Sequence, residues 1–146
     1  MRLFLRTILA IIAGMVLALV LVIAVEFFSS IVHPLPPGAN ENMDALCQHV
    51  AKYPHWVLGV VVLAWCATTF LAVWTATKIG RVAAGVVVSL LLLGAIGFNV
   101  AMLPYVTWFK IMMPTCSLVA CYVGVRWGRR NKAQEPATNA VEATGP

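Results

Sequence analysis

Six residues carry reactive or charged side chains at places an apolar sequence does not explain: Glu26, His33, His55, Asn99, Thr107 and Lys110. Glu26 stands near the end of a long apolar run, and Lys110 stands just inside another. A charge inside lipid costs ~2.5–3.5 kcal/mol at a helix centre and less near the interface, and an opposite charge lowers it further. Glu26 and Lys110 are therefore predicted to face each other, with Asn99 and Thr107 close by. Such a cluster is either a proton- or ligand-responsive pocket at the outer leaflet or an ion pair that pins two helices together. The structural pin is the preferred reading.

Other chemistries find less support. His33, His49 and His55, with Glu41 or Asp44, are suitable metal donors, but their spacing matches no ligand motif, and no metal site is expected. There is no GxSxG, and Ser29, Ser30, Ser89 and Ser117 fit helix packing or helix ends, so no catalytic residue is expected. The cysteines Cys47, Cys66, Cys116 and Cys121 form no CxxC and no haem motif, so no cofactor is expected. Cys116 and Cys121 lie roughly 140° apart on a helix and are poor partners.

The elements that position these residues follow from composition. The chain has 146 residues, 62% hydrophobic and 10% charged, with a mean hydropathy of +0.92. Soluble domains carry about 45–50% apolar and about 25% charged residues, so the solvent for most of this chain is a bilayer. The net charge of +5 is scattered over the ends of apolar runs, which argues against nucleic acid and for topology signals.

Four spans are predicted, at about residues 7–32, 55–77, 82–103 and 106–126. The first is too long for the ~7–15-residue core of a secretion signal and is read as a retained helix. An outer loop, 33–54, opens with Pro34, Pro36, Pro37 and Gly38. It holds a short helix capped by Asn40 or Asn42, with Met43, Leu46, Cys47 and Val50 on its apolar side. In the second span Ala64, Thr68, Ala72 and Ala76 make a small-residue face; in the third, Gly85, Ser89, Gly97 and Ala101 make another. Pro114 is expected to kink the fourth span. Residues 131–146 are polar and read as a disordered tail.

Basic residues set the topology. With both termini inside, Arg2, Arg6, Lys78, Arg81, Arg126, Arg129, Arg130 and Lys132 share one side, against Lys52 and Lys110 on the other. The expected fold is an all-α, N-in/C-in antiparallel bundle of four transmembrane helices in the inner or plasma membrane.

Glu26, then His33-Pro34-x-Pro36-Pro37-Gly38, then Pro54 opening a helix, then Asn99-x4-Pro104-x3-Trp108-Phe109, resembles a group of small, uncharacterised four-helix bacterial membrane proteins. Members often carry Pro-His-Pro where Tyr105-Val106-Thr107 stands here. The resemblance covers nearly the whole chain except the tail, and implies the fold and topology above but no activity. Small multidrug resistance transporters also have four helices and a Glu in the first, but near its middle and with short loops. Quinone-linked disulfide-generating enzymes need a membrane CxxC. The expected function is non-enzymatic: a structural, interaction or lipid-contacting accessory protein, with the bilayer and a membrane partner or further copies of itself as company. The alternative is a proton-coupled transporter working as a homo-oligomer with Glu26 as its titrating group.

Overall fold

Every long apolar run of this chain becomes a helix, because in lipid only a helix satisfies its own backbone hydrogen bonds. The structure, a computed structural model, describes residues 2–38 and 42–142, with side chains over 3–38 and 42–130. The elements are α1 (Arg2–Val32), α2 (Met43–Ala51), α3 (His55–Ile79), α4 (Val82–Met102) and α5 (Thr107–Glu142). All but α2 contain a segment long and apolar enough to cross a membrane: Leu3–Val32, His55–Ile79, Val82–Met102 and Thr107–Arg130. No strand occurs among the described residues.

α3 is the hub. It packs against α1, α4 and α5, and α4 also touches α1 and α5, whereas α1 and α5 make no close backbone approach to each other. α3 and α5 run parallel: Gly124 sits against Phe70 and Val73, and Gly128 against Trp74 and Thr77.

Small residues set how closely these helices approach. A side-chain carbon on Gly14 of α1 would come 2.9 Å from the Ala72 carbonyl oxygen and 3.0 Å from the Ala76 Cβ; one on Gly80 would come 2.6 Å from the Ala10 Cβ. Thr68, Ala72 and Ala76 are buried as the sequence suggests, and Ala64 is half-buried. On α4 the expected stripe holds only at its first half. Gly85 and Ser89 are buried, with Gly85 against Thr77, but Gly97 and Ala101 are exposed. The reason is helical drift. At about 100° per residue, Ala84, Gly85, Val88, Ser89, Leu92 and Ile96 fill an arc of about 140°, and Gly97 and Ala101 fall about 80° and 100° outside it.

The exterior carries many large apolar side chains, and the interior holds several small polar ones. Phe4, Leu19, Phe27, Leu63, Leu90 and Phe98 are exposed, while Thr68, Thr69, Thr77, Ser89 and Ser117 are buried. Two of the interior hydroxyls are accommodated locally, Thr77 Oγ1 donating to the Val73 carbonyl (2.8 Å) and Ser89 Oγ to that of Gly85 (2.8 Å), while those of Thr69 and Ser117 have no hydrogen-bond partner among the described residues. Water would select the reverse distribution; lipid rewards small interior residues that let helices approach.

The bundle has one basic end. Arg6 Nε donates to the Ile79 carbonyl (2.8 Å), which ties the start of α1 to the α3–α4 turn that carries Lys78 and Arg81. Gly128 lies against Thr77, so Arg126, Arg129 and Arg130 belong to the same end. The side chains of Arg2 and Lys132 lie outside the described residues. At the opposite, loop end, Asn42 caps α2 by accepting from the Asp44 backbone N–H (2.9 Å). One boundary differs from expectation. α5, which includes Pro114, keeps helical backbone to Glu142 where a disordered tail is predicted from residue 131. Asn131–Glu135 contains Lys, Ala, Gln and Glu, good helix formers that extend a helix already nucleated. Residues 143–146 lie outside the described residues.

Candidate functional site

The loop end opens into a cleft of about 610 Å³. It exists because α1 and α5 both lean on α3 without meeting, so their turns at the loop end leave a gap that residues of α2 and the loops border. Polar groups in its wall are Glu26, Ser29, Ser30, His33, His49, Tyr53, Asn99 and Tyr105. Val22, Ile23, Val61, Trp65, Phe109 and Met113 supply its apolar part. The residues beneath it are packed: Leu58, Val62, Ile96, Phe109 and Met113 form one buried cluster, and Ala18, Ala72, Val73, Leu92 and Cys121 belong to the next.

α2 borders this cleft and is held by side chains alone, since its backbone approaches no other helix closely. Its docking face is Leu46, His49 and Val50, spaced i, i+3, i+4, continued by Tyr53 in the turn after the helix. Met43, on the apolar side that is expected either against the bundle or on the membrane surface, is exposed. The His49 ring stacks on His33 at 4.1 Å between centroids and 20° between planes. Tyr53 meets both edge-on, at 4.6 Å from His33 and 5.5 Å from His49. His33 Nε2 is buried without a hydrogen-bond partner. Burial holds the His49 pKa below its usual 6.5, and a charge on His33 or Lys52 pushes the same way.

Glu26 faces the cleft beside two tyrosines. Burial raises the pKa of Tyr53, and the Glu26 carboxylate adds to the shift. Tyr105 is pushed up to about 12, first by burial and then by Tyr53 and Glu26. Both phenols therefore stay protonated at any physiological pH.

The predicted cluster divides. Glu26, His33 and Asn99 do line the cleft. Asn99 lies on the inward arc of α4 yet is exposed, because the bundle is open at its level. Lys110, Thr107 and His55 do not line it. The expected Glu26–Lys110 pair is not formed. α1 and α5 stand apart, and Phe109 and Met113 occupy the inward face of α5, leaving Lys110 about 100° round the helix from Phe109. His55 instead accepts a hydrogen bond at Nδ1 from the Trp108 indole N–H (3.0 Å) and stacks on that ring. His49, Tyr53 and Tyr105 complete the site and are absent from the sequence-based cluster. The signal that finds them is the Leu46, His49, Val50 row on α2 and the short turns that follow α2 and precede α5.

No three His, Cys, Asp or Glu side chains converge as a metal site among the described residues, and Glu41 lies outside them. The thiols of Cys66 and Cys116 lie against each other across the α3–α5 seam, and Cys121 lies beside Ser89. In comparison with known proteins, the chain matches no family model, no curated protein and no solved structure.

Proposed function

We propose that this chain is a non-enzymatic, lipid-contacting accessory protein of the plasma or inner membrane that holds an amphiphile in the cleft at its loop end. The basic end faces the cytoplasm by the positive-inside rule, which puts both termini there and the cleft at the outer leaflet. The observation that carries the reading is the cleft itself. Its volume of about 610 Å³ falls within the ~300–1,000 Å³ of small-molecule sites, and it has polar groups at one level and aliphatic walls at another. An amphiphile matches that gradient, and the surrounding lipid supplies amphiphiles at high concentration.

Coupled proton transport with Glu26 as the titrating group is the competing reading. It needs an aqueous path to the basic end, and the buried layer of Ala18, Ala72, Leu92 and Cys121 offers no support for one. The test is native mass spectrometry of protein released from lipid nanodiscs. One retained amphiphile per chain is expected, lost in Ile23→Trp and Asn99→Trp, which fill the cleft. Leu63→Trp, on the outer surface, is expected to keep it. Equal retention in all three variants contradicts the proposal.

A further inference from the structure

We infer that the cleft selects amphiphiles whose polar end is an ammonium group, with Glu26 as counter-ion and the rings of Tyr53, Trp65, Tyr105 and Phe109 as its cage. The inference rests on the amphiphile reading above and adds the headgroup chemistry to it.

The first argument is charge. Among the described residues, Glu26 is the only acidic one in the wall of the cleft, and neither lysine nor arginine lines it. Lys110 is turned away on α5, and Lys52 is exposed at the end of α2. The two histidines stack face to face, an arrangement that two charged imidazoles would disfavour by repulsion. The tyrosines keep their protons. The cleft therefore presents one carboxylate, itself exposed, with no lysine or arginine against it among the described residues and at most one charged imidazole, close to a low-dielectric medium in which an uncompensated charge is unfavourable. A bound cation removes that penalty, and a bound anion adds to it.

The second argument is the walls, independent of the carboxylate. Four rings converge on the same space, and the Tyr105 and Phe109 centroids are 4.6 Å apart. Aromatic faces carry partial negative charge and attract alkylammonium ions within about 6 Å of the ring centre. Ring and carboxylate thus favour the same ligand sign. Toward the inner side the wall turns aliphatic with Val22, Ile23 and Met113, which suits the first carbons of an acyl or alkyl chain. An anionic headgroup finds hydrogen-bond donors there, the amide of Asn99, the hydroxyls of Ser29 and Ser30, the two phenols and the histidine rings, but no lysine or arginine among the described residues.

An ammonium amphiphile has two sources: an amine-bearing lipid headgroup or a free cationic amphiphile. Native mass spectrometry of the full chain separates them. One arm uses nanodiscs of phosphatidylethanolamine or phosphatidylglycerol. The other adds dodecyltrimethylammonium or dodecyl sulfate to protein in maltoside micelles. Retention is expected to favour phosphatidylethanolamine or dodecyltrimethylammonium over its anionic counterpart by about tenfold or more. Glu26→Gln is expected to abolish that preference, and Glu26→Asp to restore part of it, with helix content by circular dichroism confirming folded protein. Preference in the first arm names a lipid headgroup as the source; preference in the second alone names a free amphiphile. Retention that ignores headgroup charge, or survives Glu26→Gln unchanged, overturns ammonium recognition and leaves the amphiphile reading intact. No retained amphiphile of either sign, with Ile23→Trp without effect, overturns both.

Discussion

His33 and His49, one just past the end of α1 and the other on α2, stack their imidazoles 4.1 Å apart and nearly parallel. Because α2 makes no close backbone contact with the bundle, this stack, with Tyr53 against both rings, is a main tie holding α2 at the cleft.

That tie is pH-sensitive, and its sign follows from His49. The groups facing His49 are His33, Tyr53 and Lys52, with Glu26 behind Tyr53. Burial and the neighbouring charges lower its pKa in the folded protein, so folding favours the neutral ring. The docked state of α2 is then fully stabilised above pH 6.5, the unfolded value, and loses that stability as pH falls through the lowered folded value. Hydrogen-exchange protection over residues 43–51, taken relative to the intrinsic rate at each pH, is expected to be high at neutral pH and to fall in acid. In His49→Phe, which keeps a ring and removes the proton site, that protection should be flat with pH. A loss of protection in acid that persists in that variant contradicts the assignment.

Close packing by glycine gives a second prediction. A methyl on Gly85 runs into Thr77, a side chain already fixed by its bond to Val73, so Gly85→Ala must push α3 and α4 apart. Overpacking of this kind costs typically ~1–3 kcal/mol. Gly97→Ala meets nothing within 4 Å and is expected to stay within about ±0.5 kcal/mol. Reversible unfolding in mixed micelles measures both; equal losses would refute the α4 register.

The parallel α3–α5 seam is tested by its thiols. Oxidation with a membrane-permeant copper–phenanthroline complex is expected to join Cys66 to Cys116 within one chain, since these thiols touch. Cys121→Ala should leave that product unchanged, because Cys121 lies beside Ser89 on another seam. Peptide mapping that finds Cys66 linked to Cys121 instead would contradict the helix arrangement.

Much of this fold is legible in the sequence, because bilayer thickness, proline breaks and lysine and arginine placement act locally along the chain. The four apolar helices, the α2 cap at Asn42 and the buried row Thr68–Ala72–Ala76 all follow from such local rules. The site is only half legible, for two physical reasons. Pairing Glu26 with Lys110 assumed that α1 and α5 are neighbours, and helix adjacency depends on which small-residue faces meet across the whole bundle. Gly14 against Ala72 and Ala76 draws α1 to α3 instead. His49 and Tyr53 were hidden because an amphipathic reading counts aliphatic residues, while these rings bury their faces and keep their polar atoms in reach of the cleft.

The most direct test concerns the solvent and the two ends of the bundle. In a chain with Cys47, Cys66, Cys116 and Cys121 replaced by Ala, single cysteines are placed by Ser30→Cys in the cleft, Leu63→Cys on the outer face and Arg129→Cys at the basic end. Sealed vesicles of both orientations are treated with a membrane-impermeant maleimide. Ser30→Cys is expected to react only from the outside, Arg129→Cys only from the cytoplasmic side, and Leu63→Cys, 72% exposed yet facing lipid, from neither. Rapid labelling of Leu63→Cys, or reaction of Ser30→Cys and Arg129→Cys from the same side, would contradict a four-span bundle with its cleft at the outer leaflet.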